Sequence, residues 1–137
     1  MIKANLKMRK LILALLLTLS TSAMAEWTAV AGNSHFTSYI DVDSMRQSGD
    51  KVTMWIMFDY KTIERREGGS EKFFSALMNS EFDCKKETKR FLDVALYSGH
   101  MGQGKVVHAL RNINEKAVTI IPSSFDAGLF QMACGQR

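Results

Sequence analysis

Ser80-Glu-Phe-Asp-Cys84, Lys85-Lys-Glu-Thr-Lys-Arg90 and Phe91-Leu-Asp-Val-Ala-Leu-Tyr-Ser-Gly-His-Met-Gly-Gln-Gly-Lys-Val-Val107 form one continuous stretch, and its reading decides the fold. Leu92, Val94 and Leu96 alternate with Phe91, Asp93, Ala95 and Tyr97, the period of two expected of a strand running from about Thr88 to Tyr97. The preceding strand runs from Phe73 to Cys84. Phe74, Ala76, Met78, Phe82 and Cys84 share a parity there, Ser80 is the exception, and Glu81 and Asp83 fall opposite. A charged turn, Lys85 to Arg90, joins the two. The glycine-rich loop Ser98 to Gly104 leads to a further strand, Lys105 to Leu110, with Val106, His108 and Leu110 on one side. This is the centre of a small antiparallel sheet, and it carries no recognisable catalytic machinery.

Working outward, Lys51 to Lys61 is the clearest strand. Val52, Met54, Ile56 and Phe58 occupy one face, and Thr53, Trp55, Met57 and Asp59 the other. Both faces are substantially apolar, so this strand is central or covered on its second side. Trp27 to Val30 and Thr37 to Asp41 read as short strands, Val42 to Met45 as a link and Gln47 to Asp50 as a turn. Thr62 to Lys72, charged and containing Gly68-Gly69-Ser70, reads as a loop. After the turn at Asn112 to Glu115, Ala117 to Ile121 is a last strand, stopped by Pro122. The pattern then changes period. Ser123 or Ser124 caps a helix, Asp126 lies in its first turn, and Phe125, Leu129 and Met132 or Ala133 line one face. The predicted core is Val52, Met54, Ile56, Phe58, Leu92, Val94, Leu96 and Val106. The fold class is α+β: an antiparallel sheet of about six strands, a C-terminal helix packed on it, and one disulfide.

The first 25 residues have a different purpose. Lys3, Lys7, Arg9 and Lys10 precede an apolar run, Leu11 to Leu19, and Ala23-Met24-Ala25 is a small-x-small cleavage site. This is the pattern of a secretory signal peptide, with cleavage between Ala25 and Glu26. The run is too short to cross roughly 30 Å of hydrocarbon. No cysteine follows it, so no lipid anchor is expected. Residues 1–25 are therefore signal peptide and 26–137 a single exported domain, periplasmic or secreted.

Removing 25 of 137 residues leaves 112, enough for one core. The leader holds four of the 18 Lys and Arg and none of the 14 Asp and Glu, so the mature domain is neutral. Nucleic-acid binding is not expected of such a domain. Two cysteines in an exported chain most simply form one disulfide, Cys84 to Cys134. Two free buried thiols are the alternative; a redox pair lacks the Cys-x-x-Cys spacing.

No hydrolase, zincin or P-loop motif occurs, and no enzyme activity is expected. His35, His100 and His108 sit on different elements and read as structural. His100 with Met101 is a nominal haem-ligand pair, but the chain offers no haem pocket, and no cofactor or metal is expected. Asp41 and Asp43 fall short of a calcium ion's oxygen ligands. Gly102-Gln103-Gly104 precedes a strand, not the helix that a phosphate site would use. The candidate partner surface is basic: Arg65 and Arg66 on one loop, Lys85, Lys86, Lys89 and Arg90 on another. Glu64, Glu67, Asp83 and Glu87 are interleaved with them, so a solvated face is the default reading and a patch for a host protein, sulfated polysaccharide or lipid headgroup the functional alternative.

Trp27, Tyr39-Ile40-Asp41 with Ser44, Val52 to Tyr60, Glu81 to Cys84, Tyr97-Ser98 with Met101 to Gly104, Val106-Val107, and Pro122 to Ser124 with Cys134 recur in one order. In that order and spacing the chain resembles the surface-adhesin protein E family of Gram-negative bacteria, over essentially the whole mature domain. The resemblance implies a sheet of about six antiparallel strands with a helix tied by the disulfide. It further implies adhesin-like binding of host extracellular-matrix or plasma proteins, and dimerisation. A periplasmic carrier of a small ligand such as haem or lipid is the alternative function.

Overall fold

A computed structural model describes residues 25–135, with Asn5 before them; the rest of the expected signal peptide, its apolar run included, lies outside the described residues. Ala25 and Glu26 are exposed, immediately ahead of the first strand. Seven strands follow in chain order: β1 (Trp27–Gly32), β2 (Phe36–Ser48), β3 (Lys51–Arg65), β4 (Lys72–Asp83), β5 (Thr88–Tyr97), β6 (Val106–Leu110) and β7 (Val118–Thr119). A helix, α1 (Phe125–Cys134), follows β7. All pairings are antiparallel, and the order β1-β2-β3-β4-β5-β6 is a simple meander. The short β7 also pairs with β5, at Thr88 and Lys89, whereas β6 takes the Val94–Tyr97 half of the same edge. The last strand, expected over Ala117 to Ile121, is thus reduced to two residues.

β3 is central, as its two apolar faces predict. On one face Val52, Met54 and Ile56 join Ile40 and Phe82 in the main core, against Leu129 and Ala133 of α1. Phe58 packs on this cluster from its margin. A smaller cluster, Phe73, Ala76 and Leu96 with Met78, Val94 and Val107, continues the interior. On the other face Met57 and Ser75 are fully buried beneath the Ser98–Gly104 loop, which contains a single 3-10 turn at His100–Gly102.

A helix of ten residues is too short to persist alone in water. Three devices hold α1. Ser124 Oγ accepts from Ala127 N at 3.1 Å, capping the first turn. Lys89 Nζ donates to Asp126 Oδ1 at 2.6 Å, tying that turn to β5. Cys134 is bonded to Cys84 at the end of β4, with Cα atoms 5.6 Å apart across a sequence separation of 50. The free-thiol alternative is thereby excluded.

Several expectations need correction. Val106 is 53% exposed and not core. The register slips between Leu96 and Tyr97, leaving Val107 as the extra residue, and it is Val107 that packs inward. A similar slip opposite Asn79 and Ser80 makes Leu92 the odd residue of β5, outside both clusters. The link Val42 to Met45 lies within β2, as a wide bulge between Asp41 and Arg46. The loop expected over Thr62 to Lys72 shrinks to 66–71, because β3 and β4 continue as a solvent-projecting hairpin to Arg65 and Lys72. Charge marked that segment as exposed, not as irregular.

Candidate functional site

The basic residues separate into two groups at opposite ends of the β3–β4 pair. Arg65 pairs with Lys72 at one end, and Lys51 with Asp83 at the other. At ~3.3 Å rise per residue, a 12-residue β4 keeps the groups more than about 30 Å apart. They form no single patch.

Their chemistry differs as well. Arg66 makes a two-point ion pair with Glu71, Nε to Oε2 at 2.7 Å and Nη2 to Oε1 at 3.1 Å. That hydrogen bond pulls the Glu71 carboxyl down to about 2 and raises Arg66. Arg90 donates to Glu81 Oε1 at 2.8 Å, and Lys51 reaches the same oxygen at 3.5 Å. Arg90's hydrogen bond, ahead of its charge, lowers Glu81. Lys89 is only 8% exposed, bonded to Asp126 and set over the Phe91 ring at 4.5 Å. It is a structural clamp between sheet and helix. Burial of a lysine requires such a partner.

Arg65, Lys85 and Lys86 are left exposed. The turn bearing the two lysines is rigidly made. Asp83 Oδ1 accepts from Lys86 N at 2.9 Å and from Lys85 N at 3.1 Å, and the Lys86 bond leads in lowering the Asp83 pKa. Cys84 N donates to Asp50 O at 2.8 Å, and Glu87 takes a positive φ of 53° to close the turn. Lys86 and Arg90 line a small cleft of about 180 Å³ together with Glu81, Asp83 and Glu115. Acids therefore surround the bases on that side.

His100 has structural surroundings. His100 Nδ1 lies 3.1 Å from Asp59 Oδ1, and its ring stacks on Phe74 at 4.4 Å between centroids. Asp59 Oδ1 also accepts from Met101 N at 2.9 Å. Ser75 Oγ donates to Gly99 O and accepts from Gly102 N. These bonds fasten the loop onto β3 and β4. Gly102 has a φ of +70°, and a Cβ there would meet Leu77 at 3.0 Å, so the glycine is required by both backbone and space. Among the described residues no group of three or more His, Cys, Asp or Glu is placed to hold a metal ion. A groove of about 510 Å³ runs along the flank of α1 beside Ile120 to Ser124 and shares only Glu87 with the lysine turn. Among the described residues no helix is long and apolar enough to cross a membrane.

Sequence reasoning missed the face of the sheet turned away from α1. Register aligns Trp27, Asp41, Trp55, Asn79 and Asp93 across β1 to β5. Only the pairing of strands makes neighbours of residues so far apart in the chain.

Comparison with solved structures places this fold beside protein E of Haemophilus influenzae. One crystal structure of that protein matches with a TM-score of 0.59 at 14% identity, covering 85% of this chain and 89% of that one. Its crystal form II matches with a TM-score of 0.61 at 14% identity, covering 85% and 92%. Protein E from a non-typeable strain gives 0.58 at 14%, covering 84% and 79%. At this identity the likeness is one of fold. No curated protein matches by sequence. The family model described as surface-adhesin protein E matches residues 27–135, from the first residue of β1 to the cap of α1, and the chain belongs to that family.

Proposed function

We propose that the mature domain is an exported, non-enzymatic binding protein that engages a host extracellular-matrix or plasma protein through its exposed basic turn. Membership of a surface-adhesin family supports an adhesin-like binding protein in general. The observation that carries the finer reading is the Lys85–Lys86 pair. Both side chains are exposed, on a turn fixed by Asp83 and by the adjoining Cys84–Cys134 bond. A turn whose backbone is already fixed needs little reordering on binding, and its exposed charges steer an acidic partner. Arg65 supplies a second, distant contact. Export follows from the leader, with the mature chain starting at Glu26; N-terminal sequencing of protein recovered outside the cytoplasm tests that start.

The binding experiment is surface plasmon resonance against immobilised matrix and plasma proteins over a range of salt. Lys85→Glu with Lys86→Glu weakens binding and flattens its salt dependence, and Arg65→Glu does so less. Unchanged affinity in the double variant, or no affinity in the unmutated domain, rejects the reading.

A further inference from the structure

The sheet face opposite α1 is covered at one end by the Ser98–Gly104 loop. The row Trp27, Asp41, Trp55, Asn79 and Asp93 is half-buried, and the segment after β6 reaches it at Asp93. The row is built, not accidental. Ser44 Oγ donates to Asp41 O at 2.6 Å and accepts from Trp55 N at 3.0 Å, so the β2 bulge fixes that pair. Asp93 Oδ2 accepts from Asn79 Nδ2 at 3.0 Å, and its Oδ1 from Asn112 N at 3.2 Å.

The charges of the row are unbalanced. Among the described residues neither Asp41 nor Asp93 has a cationic partner within salt-bridge distance. Asp41 Oδ1 is buried with no hydrogen-bond partner at all. Buried polar atoms without partners are rare in folded proteins, and a carboxylate in that position favours a nearby positive charge. The neighbouring bases do not supply it. Arg90 and Lys51 are held by Glu81, and His100 is held by Asp59 under the loop. Arg111, beside Leu110, lines one slot together with Trp55 and Asp93, without an ion pair to either carboxylate.

Trp55 sits between the two carboxylates, one strand from Asp41 and two from Asp93. At ~4.8 Å per strand, their Cα atoms lie about 5 and about 10 Å from its own. Beside it opens a slot of about 210 Å³ lined by Trp55, Leu77, Ala95, Tyr97 and Val106, with Asp93 at its margin. An aromatic face flanked by acids and continued by an apolar slot matches one side-chain chemistry: an aliphatic stem ending in a cation.

We propose that this face binds a lysine or arginine side chain presented by a protein partner, its stem in the slot between Trp55 and Tyr97 and its cation over Trp55 in the field of Asp41 and Asp93. The proposal rests on the domain being a binding protein. It uses a surface distinct from the Lys85–Lys86 turn and of opposite sign.

The test titrates hexa-arginine and hexa-glutamate peptides into the domain by calorimetry, and follows Trp55 fluorescence in Trp27→Phe protein. Hexa-arginine binds saturably and shifts the Trp55 emission, while hexa-glutamate does neither. Asp41→Asn weakens hexa-arginine binding by about tenfold, and Trp55→Leu by at least as much. Trp55→Phe, which keeps an aromatic face, retains part of the affinity and guards against loss through misfolding. Lys85→Glu with Lys86→Glu leaves the Trp55 shift in place. Absence of saturable binding, or equal affinity in Asp41→Asn or Trp55→Leu, overturns the proposal. If matrix proteins fail to bind while hexa-arginine binds as described, only the proposed function falls. If matrix proteins bind and the peptide response does not depend on Asp41, only this inference falls.

Discussion

The two faces of the sheet are covered by different means. Ile56 and Met57 are neighbours on β3, and both are almost wholly buried, one beneath α1 and the other beneath the Ser98–Gly104 loop. The helix is clamped at both ends, by Lys89–Asp126 and by Cys84–Cys134. The loop is pinned by hydrogen bonds to Asp59 and Ser75 and by the His100 ring against Phe74. A short helix with a broad apolar face needs strong attachment to stay in place, and in return it seals most of one face. A tight loop needs only local polar contacts, and it leaves the rest of its face open. The difference bears on the proposed binding: the helix side is closed interior, and the half-buried row of Asp41, Trp55 and Asp93 lies on the loop side.

Removing the covalent clamp gives the largest effect. Cys134→Ser costs about 4 kcal/mol on the chain-entropy treatment and lowers Tm by more than about 10 °C. One alkylatable thiol appears, at Cys84. A melt within about 2 °C of the parent would show that α1 does not depend on the bond, and that the two faces are attached alike.

Next come the paired neighbours. Ile56→Ala and Met57→Ala each cost about 2–5 kcal/mol in denaturant unfolding, because both side chains are buried. If Met57→Ala costs under about 0.5 kcal/mol, the range of surface changes, the loop is not a true cover and the comparison breaks.

Ser75→Ala sharpens it. Losing the acceptor for Gly102 N and the donor to Gly99 O costs about 1–3 kcal/mol. Amide exchange should speed at Gly102 and stay unchanged along α1. Faster exchange in the helix would mean that the faces are coupled.

The smallest effect belongs to neither face. Glu71 at the β3–β4 hairpin has its carboxyl pulled from an ordinary value of 4.5 to about 2 by Arg66. Because the folded value is the lower one, this pair stabilises fully above about pH 4.5. Its contribution is lost as pH falls toward 2. Glu71→Gln should flatten stability against pH in that window only, measured by acid unfolding at fixed urea, and leave neutral stability almost unchanged, since exposed ion pairs contribute little. A large loss at pH 7 would show that the hairpin is part of the core.

Much of the fold was legible because side-chain alternation is local. Val52, Met54 and Ile56 declared one face of β3, and Trp55 and Met57 its opposite. Ser124, Asp126, Leu129 and Ala133 declared the helix. Bulges were not legible, since an extra residue such as Val107 or Leu92 changes which side chains face inward without altering composition. Nor was the fate of the basic run. Lys85, Lys86, Lys89 and Arg90 look alike in sequence, yet two are free, Lys89 is buried against Asp126, and Arg90 is bound to Glu81.

The sequence by itself determined the signal-like pattern at the N-terminus, the balanced charge of residues 26–137, the strand parities, the capped helix and the presence of just two cysteines. These depend on residues close together in the chain or on simple counts. Tertiary structure alone decided which bases are available and which residues share the open face. Lys89 meets Asp126, and Asp41 meets Trp55 and through Asn79 faces Asp93, only after strands have paired in a particular register. Register depends on packing summed over the whole sheet, and no local window of the chain contains it.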